Sequence, residues 1–194
     1  MNHKIDLSIP NPVMTLETLA LQGQRSHGTL ASGIGARVKD LRKKMMKECF
    51  SYLENMEHRM EYVANVHGIE FINDSKATNI NATWYSLGSM TKPVIWIAGS
   101  IDMGNDFEIL KSLVRNKVKA IVCLGLDCSR LHQAFVDFNK PLTETQYMFE
   151  AVELALFAGT NGDVVLFSPA CASFDLYKDY EERGKEFREI VKNL

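Results

Sequence analysis

Three short stretches gather polar groups, or room for a ligand, where an apolar run gives way to a helical pattern. In "NDSKATN" (73–79), Asp74, Ser75, Lys76, Thr78 and Asn79 crowd into one turn's length after a run ending near Ile72. In "GSIDMGND" (99–106), Gly99 and Gly104 permit close backbone approach after "PVIWIA". In "SPACASFD" (168–175), small residues open a helix after "DVVLF". Taken singly, Asp74, Ser75, Thr78 and Asn79 read as helix caps, because their side-chain oxygens can satisfy orphan N–H groups. Lys76 does not fit that account. A cation beside helix N-termini is an electrostatic misfit unless an anion is held by the amine and the N–H groups together. The three stretches together therefore predict a carboxylate or phosphate site. A fourth, "EHRMEYV" (57–63), sets His58 beside Arg59, whose guanidinium suits phosphate or ribose oxygens if it faces the same rim.

These stretches need elements that bring them together. From about residue 69, apolar runs alternate with helical patterns: "IEFIND", "NATWYSLGSM", "KPVIWIAG", "DFEILKSLVRNK", "VKAIVCLG", "CSRLHQAFVDF", "TQYMFEAVELALFAG" and "DVVLFSP". A charged terminal helix is expected from about Asp175 to Asn193. Nearly continuous apolar strands imply burial on both faces. The predicted fold is thus α/β, a Rossmann-like, mostly parallel sheet with helices on both faces. In such sheets ligands bind at the carboxyl ends of the strands, so the polar stretches should share one rim.

The 194-residue length suits one domain with a full core and leaves room for a short appendage, and the formal net charge of −2 gives no global field for nucleic acid or acidic membrane. The four cysteines, Cys49, Cys123, Cys128 and Cys171, lack zinc-site spacing, two of them lie in apolar runs, and a reducing, cytoplasmic setting is expected. No apolar run is long enough to span a bilayer and no leader pattern opens the chain. His3, His67 and His132 show no metal-ligand spacing, and no metal site is expected. Neither a Ser-His-Asp order, nor paired carboxylates, nor the P-loop pattern GxxxxGK[ST] is found, so ATP chemistry would draw on residues from elsewhere.

The segments "EHRMEYV", "GIEFINDSKATN", "KPVIWIAG", "TET" and "GDVVLFSPACASFDLYKDYEERGKEF", in that order over about three-quarters of the chain, resemble the C-terminal domain of the Mur ligases, in the branch that adds D-glutamate. "LALQGQRSHGTLASGIGARV" resembles the close of the family's central ATPase domain. The expected organisation is a remnant of that domain over residues 1–54 and a C-terminal domain over 55–194. The resemblance implies an ATP-dependent, amide-forming reaction in the cytoplasmic stage of peptidoglycan synthesis. The carboxylate of UDP-N-acetylmuramoyl-L-alanine becomes an acyl phosphate, which the amine of D-glutamate attacks. It further implies that His58, Arg59 and Asp74 serve ATP, that Lys76, Thr78 and Ser173 serve D-glutamate, and that Phe174 and Tyr180 pack nearby. Mg and the muramoyl substrate would be held mainly by domains missing from this chain, which is expected to be inactive alone and monomeric. Two positions depart from the family. Met103 stands where a lysine usually meets the amino acid's side-chain carboxylate, and "RSHG" (25–28) replaces an adenine-binding motif while one residue short. The alternative is a degenerate module that binds a nucleotide or acidic metabolite without turnover.

Overall fold

The computed structural model describes residues 57–99, 104 and 106–194, together with 37 and 41. By internal contacts the chain divides into two units, Met1–Glu48 and Cys49–Leu194. The second carries everything that follows. The expected central-domain remnant over residues 1–54, apart from 37 and 41, lies outside the described residues, as do the "RSHG" segment and Met103.

Six strands form one sheet. They are β1 (Glu61–Val66), β2 (Ile69–Asn73), β3 (Val94–Gly99), β4 (Val118–Leu124), β5 (Leu142–Thr145) and β6 (Val164–Phe167), in the spatial order β1-β2-β6-β3-β4-β5. All neighbours pair in parallel except β1 and β2. Between the strands run α1 (Ile80–Ser89), α2 (Glu108–Lys117), α3 (Ser129–Phe135) and α4 (Met148–Ala158), and α5 (Tyr180–Lys192) closes the chain.

The middle of the sheet is buried on both faces because β3 and β6 are apolar and buried at every position and β4 at all but Lys119. In β3, whose six residues are all buried, Val94, Trp96 and Ala98 point to one side and Ile95 and Ile97 to the other. The first side packs on Leu87 of α1, Leu110 and Val114 of α2, and Leu131 and Phe135 of α3. The second packs on Met148, Ala151, Val152 and Ala155 of α4, and on Phe187 and Val191 of α5. Phe187 is the centre of the second layer, stacked on Phe167 at 4.8 Å and tilted against Phe71 at 6.5 Å.

Two strands were not anticipated. β1 has no fully buried position, its residues being half-buried or exposed as befits an edge, and joins β2 through His67 and Gly68, both at positive φ (+53° and +83°). Such a two-residue turn matches the twist of a hairpin. A Cβ at Gly68 would lie 2.2 Å from Asn161 Oδ1, so the tip also needs glycine for space. β5 is four residues long and sits at the opposite edge. The expected helix from Asp175 starts instead at Tyr180, because Asp179 is its cap and accepts from the N–H groups of Glu181 and Glu182.

The cysteines also differ from expectation. Cys123, at the end of β4, and Cys128, at the start of α3, are joined as a disulfide, while Cys171 is buried elsewhere. Five residues apart, the two are brought face to face by the tight turn through Gly125 and Leu126.

Candidate functional site

Because β2, β6 and β3 are neighbours, their carboxyl ends form one continuous rim. Gly99, ending β3, donates its N–H to the Pro169 carbonyl after β6 (2.8 Å), and a Cβ there would lie 2.8 Å from the Pro169 ring. Ala170 in turn donates to the Ala77 carbonyl after β2 (3.0 Å). The described parts of the three polar stretches therefore touch through their backbones. Of the glycine-bearing stretch, only Gly99, Gly104 and Asp106 are described.

The four candidate caps separate into different roles. Asn79 caps α1, its side chain accepting from the Ala82 N–H (3.0 Å). Thr78 is exposed on the rim. Asp74 is not a cap. Its side chain is fully buried and accepts from Arg59 Nη1 (3.2 Å), the Met60 N–H (3.3 Å), Ser86 Oγ (2.5 Å) and Ser168 Oγ (2.9 Å). Burial pushes its carboxyl above the usual carboxylate range, while Arg59 and the two serines pull against that. Ser75 donates from Oγ to the Tyr180 carbonyl (2.7 Å) and accepts from Arg183 Nε (3.1 Å).

The segment bearing His58 and Arg59 enters the same cluster. Arg59 is nearly buried, and His58 lies under α5 with only 4% of its surface exposed. Its neighbour there is Gly184, where a Cβ would meet His58 Nδ1 at 2.5 Å. This turn is strained: His58 and Met60 hold φ of +61° and +47°, and Ala170 across the rim holds +64°. Three non-glycine residues thus hold left-handed backbone within one cluster, each at a cost of about 1–3 kcal/mol, a strain that clusters at ligand sites.

On the open side, Lys76 is half-buried, with Nζ 5.2 Å from the centre of the Tyr180 ring. Among the described residues no carboxylate pairs with it. Ser173 is buried and its carbonyl accepts from the N–H groups of Leu176 and Tyr177, whereas Phe174 beside it is 73% exposed. Lys76 and Tyr180 are thus in direct contact. Arg183 links the Lys76 and Ser173 segments, donating from Nη2 to the Ser75 carbonyl (2.8 Å) and from Nη1 to the Ala172 carbonyl (3.2 Å). Burial lowers this guanidinium to about 10. Its importance had a partial signal in the sequence, the "RG" at 183–184. The roles of Ser86 and Ser168 had none, since lone buried polar residues carry no periodicity.

An α/β sheet with a cationic, partly apolar rim at the carboxyl ends of its strands is of the open-sheet class, in which ligands bind at that rim. The chain belongs to the Mur ligase family: the family model of the Mur ligase, glutamate ligase domain, matches residues 58–171. It is 43% identical over 196 residues to the UDP-N-acetylmuramoylalanine--D-glutamate ligase of Christiangramia forsetii, covering all of this chain and 44% of that protein. The same-named ligase of Bacteroides fragilis is 46% identical over 183 residues, 93% of this chain and 41% of the relative. The chain spans less than half the length of these curated relatives. Among solved structures, a bifunctional folylpolyglutamate synthase/dihydrofolate synthase from Yersinia pestis shares the fold with a TM-score of 0.50 and 14% identity, over 71% of this chain and 32% of that one. A murein peptide ligase from Psychrobacter arcticus has the same TM-score at 13% identity, over 71% and 30%. No helix among the described residues is long and apolar enough to cross a membrane.

Proposed function

We propose that this chain is the C-terminal part of an ATP-dependent ligase that adds D-glutamate to UDP-N-acetylmuramoyl-L-alanine in the cytoplasmic stage of peptidoglycan synthesis. The observation that carries this reading is Lys76. A half-buried ammonium over an aromatic ring, with no carboxylate paired to it among the described residues, is a ready partner for an incoming carboxylate. Exposed Thr78 adds a hydroxyl beside it, and Phe174 and Tyr180 supply apolar walls for a short aliphatic side chain. Ser173 completes the amino-acid half.

The nucleotide half is the turn of His58 and Arg59. Arg59 supplies a permanent positive charge for phosphate or ribose oxygens, and Asp74, itself turned inward, acts through Arg59 by fixing its orientation. ATP bound there with Mg supplies the phosphoryl group that activates the muramoyl carboxylate. The P-loop, the Mg ligands and the muramoyl site belong to other domains of the enzyme, of which residues 1–54 are the closing piece, and the chain is inactive and monomeric by itself. Holding two reactants on one rim lowers the entropic barrier of the bond-forming step, and closure of this domain over its neighbour keeps water from the acyl phosphate.

Calorimetry on the folded chain tests this reading. D-glutamate and Mg·ATP are each expected to bind detectably at millimolar concentration, and silence from both overturns it. Lys76→Met should weaken D-glutamate by about tenfold or more, in line with one charge-assisted bond of about 1.5–3 kcal/mol, without lowering the melting temperature. Met103 favours the second reading, a module that binds an acidic metabolite without turnover. If Met103→Lys tightens D-glutamate about tenfold, the missing amine accounts for the difference. An unchanged affinity refutes that account.

A further inference from the structure

Asn73 ends β2 at the centre of the rim, fully buried, and none of the roles above uses it. Its side chain meets four residues, from the His58–Glu61 stretch, the turn after β2 and α5. Oδ1 accepts from the Ser75 N–H (3.2 Å), and Nδ2 lies 3.0 Å from the Gly184 carbonyl, 3.1 Å from Glu61 Oε2 and 3.0 Å from His58 Nδ1. The orientation of the amide is fixed by these neighbours: a carbonyl and a carboxylate can only accept, and the Ser75 N–H can only donate. The amide therefore turns its NH2 toward His58.

A neutral imidazole has one N–H and one bare nitrogen, and its environment decides which is which. A proton on Nδ1 would oppose the Asn73 NH2 at 3.0 Å, donor against donor, and would find Glu61 Oε2 only at 3.5 Å. The NH2 has two hydrogens for three acceptors. Glu61 has other donors, the His58 N–H at 3.1 Å and Arg188 Nη1 at 3.2 Å on its second oxygen, so the two amide hydrogens serve the Gly184 carbonyl and His58 Nδ1. The carbonyl of His58 meanwhile accepts from the Lys76 N–H (3.1 Å), so the turn of His58 and Arg59 and the turn of Lys76 share the same anchor.

We propose that Asn73 is the positioning residue of this rim: it holds His58 as the Nε2–H tautomer and locks the His58–Arg59 turn to the Ser75–Lys76 turn. Any oxygen that approaches His58 Nε2 then meets a neutral donor rather than a base. This deepens the proposed function, and rests on it only in taking the two turns for the nucleotide and amino-acid halves. The proposal itself is read out without ligand.

The test is a ring-nitrogen NMR spectrum of the full 15N-labelled chain at pH 8, with His58 assigned by its loss in His58→Gln. Expected are a bare, pyridine-like Nδ1 and a protonated, pyrrole-like Nε2. The reverse tautomer, an averaged signal or an imidazolium overturns the proposal, and the wild-type spectrum decides this even if variants fold poorly. Asn73→Asp replaces the donor by an acceptor. It is expected to move the ring proton to Nδ1 and to speed amide exchange at Ser75 and Lys76 at least tenfold relative to amides of β3 and β4. A uniform rise across all amides would be the mark of simple destabilisation and would overturn the locking role. Binding of D-glutamate and Mg·ATP to the wild type is measured separately, so failure of the functional reading leaves the tautomer result standing, and the converse.

Discussion

At the scale of single residues, small and uncharged groups decide as much as charged ones. Gly184 lets α5 lie against the His58 ring, and no side chain fits there: a Cβ would stand 2.5 Å from Nδ1 and 3.0 Å from the Ser75 Cβ. The ring is pinned by Asn73 and the turn behind it, so it cannot swing aside cheaply. Gly184→Ala is expected to cost about 1–3 kcal/mol, the usual range for overpacking a close contact, seen as a lower urea midpoint at unchanged slope. A variant as stable as the wild type would show that the His58 turn yields, and would weaken the picture of a rigid rim. Arg183 makes the complementary point. Its guanidinium spends its hydrogens on Ser75 and on the carbonyls of Cys171 and Ala172, so it ties two loops together before any ligand arrives.

Among the elements, α5 bears most of the construction. It lays Phe187 and Val191 on one face of the sheet, sends Arg183 into the rim and covers His58. Its start is set by Asp179, whose carboxylate accepts from two backbone N–H groups and complements the positive end of the helix. Asp179→Ala should lower stability by about 1 kcal/mol, and because the first turn carries Tyr180 it should also weaken D-glutamate binding. Thermal melts and calorimetry on the same variant check both. A loss of stability with no change in affinity would separate the cap from the site. The hairpin of β1 and β2 serves the rim from the other side, since the segment leading into β1 carries His58 and Arg59 back across the end of β2.

For the whole molecule, two features outside the rim are expected to set stability. Asp163, which precedes β6, is pushed up by burial but pulled further down by Lys119 (2.5 Å) and by the Thr160 N–H and hydroxyl, and titrates below the usual carboxylate range. A depressed folded-state pKa means the ionised form stabilises the fold. That contribution is fully present above the unfolded value of about 4 and is lost as pH falls through the folded value. The difference in melting temperature between wild type and Asp163→Asn should therefore be large at pH 7 and shrink steadily below about pH 4; a difference that stays constant down to pH 2 would refute the assignment. The disulfide joins the end of β4 to the start of α3. Alkylation of the unfolded chain without reductant should leave Cys123 and Cys128 unlabelled, and labelling of both would show a dithiol instead.

The sequence alone determined the sheet, because β3, β4 and β6 carry nearly continuous apolar runs, and strands of that kind are buried on both faces in a helix-covered, mostly parallel sheet. It also determined that a cationic rim lies at the strand ends, since Lys76 fits no cap. The edge strands were not legible: β1 is polar on one side and β5 has only four residues, so neither is distinguishable locally from a loop. Which of the crowded polar residues would face a ligand was not legible either. Asp74, Ser75, Thr78 and Asn79 are alike in sequence, and only the arrival of Arg59, Ser86, Ser168 and Arg183 from distant elements turned Asp74 and Ser75 inward, left Thr78 on the surface and set Asn79 as the cap. A hydrogen bond between residues a hundred positions apart has no local signature, so partner choice is a property of the tertiary structure.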